Sequence, residues 1–151
     1  MREWIVTNGL GSYASLTYNN TNTRKFHGLF MSSLHPPVER WVFVSNVIDE
    51  VQIDDKKLNC YFQKSNFNFE LFPTFTYDLN GVNIQKTVFM EYGKNTTFLK
   101  YKIETDKEIN IFHNPIINSR HFYDVNKQRY LTFKQDSISN GIVIKPENID
   151  K

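Results

Sequence analysis

Asn80-Gly81 sits between two runs whose side chains alternate in character: Phe75-Thr76-Tyr77-Asp78-Leu79 before it, and Val82-Asn83-Ile84-Gln85-Lys86-Thr87-Val88-Phe89-Met90 after it. The central residues of a tight hairpin turn need positive φ, which Asn and Gly accept readily, so the segment predicts two antiparallel strands. In the second arm Val82, Ile84, Val88 and Met90 share one face, with Lys86 interrupting it, while Asn83, Gln85 and Thr87 take the other. A period of two belongs to a half-buried strand and cannot supply the 3.6-residue stripe of an amphipathic helix.

The same reading extends along the chain. Strands are expected at Trp4 to Thr7, Tyr13 to Tyr18, Phe26 to Ser33, Trp41 to Val51 with a bend near Ser45-Asn46, Lys57 to Gln63 and Phe67 to Phe72. Others are expected at Thr97 to Glu104, Ile109 to Phe112, Tyr130 to Lys134 and Ile142 to Lys145. Composition agrees, because one alanine and 9 leucines stand against 55 residues of Ile, Val, Thr, Phe and Tyr. Good helix formers are scarce and strand formers abundant, which excludes a helical bundle and a doubly wound α/β domain. The expected fold is all-β: a large antiparallel β-sandwich of about ten strands with little helix. Residues 1–151 would form one domain or part of one. A chain of this length typically buries ~70% of the surface its unfolded form exposes, enough for a core without staples.

Charge and cysteine usage narrow the partners. A net charge of +2 and the lack of Lys/Arg clusters beyond pairs leave no footprint for nucleic acid. The single cysteine, Cys60, has no disulfide partner, and with four scattered histidines it builds no zinc site. Its neighbours Asn59, Tyr61 and Phe62 suggest a buried thiol on a strand, and no metal or cofactor is expected. Met1-Arg2-Glu3-Trp4-Ile5 lacks an apolar leader segment, and the uncharged run Gly28 to Val38 carries Pro36 and Pro37. The expectation is a cytoplasmic protein without a membrane span, in which the Asn19 and Asn95 sequons are products of an asparagine-rich chain.

Three segments depart from plain strand-and-turn composition. Asn8-Gly9-Leu10-Gly11-Ser12-Tyr13 has too few glycines, and no following helix, for a nucleotide fingerprint; Asn8, Gly9 and Gly11 are expected to shape a tight loop. Asn19 to Leu29 gathers Asn22, Thr23, Arg24, Phe26 and His27. Amide and guanidinium donors beside an aromatic ring suit a polyhydroxylated ligand, although Asn and Thr also favour turns through local side-chain bonds. Phe112 to Tyr123 places Arg120 near His113, His121 and two aromatics, without the carboxylates a metal site needs or a serine in a nucleophile elbow. His27 and His121 are candidate acid–base groups, with structural burial as the alternative. The carboxylates of Asp49-Glu50, Asp54-Asp55 and Glu104 to Asp106 are expected at solvated strand ends and turns, so no catalytic pair for glycoside hydrolysis is apparent.

Taken together these segments resemble a known family. Glu3-Trp4-Ile5-Val6-Thr7-Asn8-Gly9-Leu10-Gly11-Ser12-Tyr13-Ala14-Ser15, Asn22-Thr23-Arg24-Lys25-Phe26-His27-Gly28-Leu29 and Pro36-Pro37-Val38-Glu39-Arg40 closely resemble the opening of the bacterial and archaeal glycogen debranching enzymes, the amylo-α-1,6-glucosidase family. Asn114 to Arg120 is similar to a later family segment, with His121 where the family has aspartate and Tyr123 where it has histidine. Ser12 stands at a family glycine. The resemblance implies a β-sandwich placed before an (α/α)6 barrel that holds the acid and base for α-1,6 hydrolysis. It further implies that Asn22, Thr23, Arg24, Phe26, His27 and Arg120 face α-glucan or the barrel, with no catalytic residue in this chain. Two alternatives stay open: a purely structural docking module, and a 4-α-glucanotransferase using His27, Arg24 and Asp49 or Glu50. A sandwich separated from its barrel is expected to expose an edge strand or apolar surface and to form homodimers.

Overall fold

The computed structural model describes residues 2–125 and 131–147. Twelve strands are present among them: β1 Glu3–Thr7, β2 Tyr13–Thr17, β3 Gly28–His35, β4 Val38–Ile53, β5 Lys56–Asn59 and β6 Ser65–Phe69. These are followed by β7 Pro73–Leu79, β8 Val82–Met90, β9 Thr97–Glu104, β10 Ile109–His121, β11 Phe133–Ile138 and β12 Gly141–Pro146. One 3-10 turn, Cys60–Phe62, is the sole helical element of the described residues. No described helix is long and apolar enough to cross a membrane.

All pairings are antiparallel. One sheet has the order β1-β2-β3-β4-β10, and β5 pairs with the end of β4 that β3 does not reach. A second has the order β6-β7-β8-β9, and β11 with β12 forms a separate hairpin. The two larger sheets share one core, a sandwich: Trp4, Leu16, Leu29 and Val51 from the first meet Phe75, Tyr77, Ile84 and Val88 from the second. Trp4 and Phe75 touch edge to face at 6.2 Å. Each buried side chain of this size contributes about 1.5–3 kcal/mol relative to exposure.

The Asn80-Gly81 turn joins Leu79 to its partner Val82 with φ of 53° and 86°, the mirror-image turn that two-residue hairpins favour. Burial along β8 alternates without a break from Val82 to Met90, and the alternation includes Lys86. Three strand expectations need correction, one of them Phe67 to Phe72, which is strand only to Phe69. Lys57 to Gln63 is strand only to Asn59, because the Asn59 side chain accepts from Tyr61 N at 2.9 Å and winds the 3-10 turn. Cys60 is buried as expected, but in that turn and not on a strand. Ile109 to Phe112 extends to His121, since Pro115 lies on a strand at the sheet's edge where a missing N–H is tolerated. The expected start at Tyr130 lies outside the described residues.

Candidate functional site

The loop between β2 and β3 is held by its own polar side chains. Asn22 donates to Ser45 O at 2.9 Å and to His27 O at 3.3 Å, and its Oδ1 accepts from Asn46 Nδ2 at 3.0 Å. Thr23 N donates to His27 Nδ1 at 3.0 Å, which places the imidazole proton on Nε2. That nitrogen lies 3.4 Å from Glu3 Oε1. Burial lowers the His27 pKa below its ordinary 6.5, outweighing the opposing pull of Glu3. Arg24 brings Nε to 2.8 Å from the same Glu3 oxygen while its side chain stays 62% exposed. The acid beside Arg24 and His27 is therefore Glu3, not Asp49 or Glu50.

Arg120, near the end of β10, ties this loop to the turn that follows the strand. Its Nη2 donates to Lys25 O at 2.6 Å and its Nη1 to Asp124 O at 2.9 Å. Burial lowers its pKa from the ordinary guanidinium value, against the pull of Tyr13 and Asp124. Tyr13 OH donates to Phe26 O at 3.0 Å, and desolvation pushes its pKa up to about 12. The Phe26 ring consequently meets Phe122 at 5.5 Å and stands perpendicular to Tyr123 at 5.7 Å. Lys25 Nζ donates to Tyr123 O at 2.8 Å and lies over both the Phe26 and Tyr123 rings. His121 packs as an aromatic, between Trp41 at 6.2 Å and Tyr123 at 5.6 Å.

The remaining motif residues support this cluster from behind. Arg40 donates from Nε to Gly11 O at 2.6 Å and lies over the Phe122 ring, and its own carbonyl accepts from Phe122 N at 3.0 Å. Gly11 has φ 91°, and a Cβ there would sit 2.5 Å from Pro37 O. Gly9 has φ 79° and lies against Tyr92. Asn8 is fully buried: its Oδ1 accepts from Leu10 N at 2.9 Å and Ser12 N at 3.2 Å, while Nδ2 donates to Lys94 O at 2.8 Å. Ser12 Oγ donates to Asn95 Oδ1 at 2.6 Å and accepts from Ser33 N at 2.8 Å, so the β1–β2 loop is clasped to the β8–β9 turn. The exposed parts of the arrangement are Tyr123, at 60% exposure with Lys25 Nζ over its ring, and the Arg24 side chain, which turns to Glu3. An apolar ring face beside cationic donors suits a ligand with apolar faces and hydroxyl edges.

A second polar cluster lies within the core. Asp49 is 5% exposed in β4, where solvated carboxylates were expected; its Oδ2 is 2.7 Å from Lys86 Nζ, a side chain with 0% exposure. Lys86 also donates to Val47 O at 3.1 Å. Asp49 Oδ1 accepts from Tyr101 OH at 2.9 Å and meets His113 Nδ1 at 2.7 Å, and His113 stays 48% exposed. Desolvation, reinforced by Asp49, drives the Tyr101 pKa far upward. A lone lysine on an otherwise apolar strand face was the signal for this cluster, since a buried ammonium requires an anionic partner.

A family model described as the N terminus of glycogen debranching enzyme matches residues 2–151. No curated protein and no solved structure matches the chain. With a match over essentially its whole length, the chain belongs to the family of glycogen debranching enzyme N-terminal domains.

Proposed function

We propose that this domain positions α-glucan for α-1,6 branch hydrolysis by a catalytic (α/α)6 barrel elsewhere in the parent protein, through the Phe26–Tyr123 surface. The observation that carries the reading is the junction made by Arg120. Two segments far apart in sequence meet there, and an exposed tyrosine stands beside Lys25, with the exposed Arg24 next to it in the loop. Stacking of a sugar's apolar face on Tyr123, with Lys25 and Arg24 donating to hydroxyls, is the mode this surface supports. Titration of the chain with maltoheptaose, followed by backbone amide shifts, is expected to move Arg24, Lys25 and Tyr123 and to lose the effect in Tyr123→Ala. Silence at millimolar ligand would sink direct glucan contact.

A docking role is favoured by a different observation. Asn22, Thr23, His27 and Arg120 direct polar groups into the loop and the turn, as anchors of a shaped surface do. On that reading glucan produces no shifts, and the parent barrel added in trans broadens the same resonances. The transferase reading requires an acid near His27, and Glu3 is the one it meets. Unchanged chain lengths after incubation with maltoheptaose would remove it.

A further inference from the structure

The two sheets do not match along one side. β9 ends its sheet and β10 ends the other, and they lie together: Tyr101 of β9 packs against His113 of β10 with ring centroids 4.8 Å apart, tilted by 42°. Along β8 every inward residue is buried, whereas the inward residues of β9 (Thr97, Leu99, Tyr101 and Ile103) are not, and Ile103 reaches 42% exposure. Burial fades at β9, the last described strand of its sheet. A cavity of about 300 Å³ opens there, walled by Phe30, Val44 and Val47 of the first sheet and by Thr97 and Leu99 of β9. The Thr97 hydroxyl is buried at this wall and has no hydrogen-bond partner among the described residues.

We infer that the free edge of β9 is a strand-addition site, and that it takes an extended segment from a partner polypeptide with apolar residues on one face and acidic residues on the other. The outer edge of β9 pairs with no described strand, and a row of alternating N–H and C=O groups is matched by an extended backbone. The apolar side of the incoming strand would face the cavity and His113, and the Thr97 hydroxyl would gain a neighbour. Charge selects the occupant. The outward face of β9 carries Lys100 and Lys102, both exposed, with Glu104 paired to Lys102 at 2.6 Å. A second copy of the chain is a poor match: the two antiparallel registers pairing most of β9 with itself set Lys100 against Lys100 or Lys102. Like charges directly opposed across a strand pair are destabilising, whereas Glu or Asp at those positions is favourable.

The test uses eight-residue peptides alternating Val with Glu, N-methylated along one edge so that they cannot pair with themselves, against the chain in solution. The acidic peptide is expected to slow hydrogen exchange at Thr97–Glu104 and to shift the Thr97 and His113 resonances. A lysine-for-glutamate peptide should bind at least ~10-fold more weakly, a difference of about 1.4 kcal/mol. The surface variant Lys100→Glu/Lys102→Glu should reverse that order. Absence of binding at millimolar peptide, protection at another edge, equal binding of both peptides, or a homodimer whose protected amides are those of β9 would each overturn the inference.

Discussion

Replacing Asp49 with Asn tests whether the buried cluster is held by its ion pair. Lys86 is completely enclosed and has two oxygen partners, Asp49 Oδ2 at 2.7 Å and Val47 O at 3.1 Å. Asp49→Asn leaves the ammonium with a carbonyl and no counter-charge. Removing one member of a buried pair costs about 3–5 kcal/mol, and the midpoint of a domain this size moves by roughly 2–4 °C per kcal/mol. The variant should therefore melt roughly 10 °C lower. Lys86→Met is the milder change, because Asp49 keeps Tyr101 OH and His113, and about 1–3 kcal/mol is expected. Asp49→Leu combined with Lys86→Met removes both charges, leaves His113 free to turn toward water, and should fall closer to wild type than Asp49→Asn. Urea unfolding at constant m-value measures all three. Equal losses for the two single changes, or a double variant no better than Asp49→Asn, would refute the asymmetry.

Three further outcomes are expected. His27 is buried with its pKa below 6.5, so the unfolded chain binds its proton more readily; the stability it provides is complete above pH 6.5 and declines as pH falls from there toward the folded pKa. His27→Asn, which offers an acceptor to Thr23 N without titrating, should flatten that part of the stability–pH curve. Gly11→Ala should cost more than about 1 kcal/mol in urea unfolding, since φ is 91° and the new Cβ meets the Pro37 backbone. Cys60 is enclosed and its pKa is raised to about 11 by burial, so a thiol reagent at neutral pH should label it only at the rate of unfolding.

What the sequence disclosed was mostly local. The Asn80-Gly81 hairpin was legible because both its turn chemistry and its alternation lie within a few residues of one another. The tight β1–β2 loop was legible for the same reason. The extension of β10 past Pro115 was not, because whether a proline interrupts a strand depends on whether that strand lies at the sheet's edge. Asp49 was assigned to water because Asp49-Glu50 reads as polar; only the registry of the two sheets places it opposite Lys86. The motif residues from Asn22 to His27 were found as a group, but composition could not divide them. His27 is buried and Arg24 points outward, while Asn22, although exposed, turns its amide back onto Ser45 and Asn46. Glu3 was read only as the first residue of the family-like opening segment, although it joins Arg24 to His27.

The clasp between the β1–β2 loop and the β8–β9 turn has a consequence for the order in which the domain assembles. Asn8 reaches Lys94 across 86 residues, whereas each strand from β6 to β9 pairs with the one beside it in sequence. Contacts that close short loops form before those that close long ones, because chain entropy opposes the latter until other structure has gathered the ends. The β6–β9 meander is therefore expected to exist before residue 8 arrives, and Asn8, Ser12 and Asn95 to act as a latch that closes late. Because β1 to β4 also pair with their neighbours in sequence, it is the docking of that meander onto β6–β9 that would come last in folding and be lost first when the domain opens.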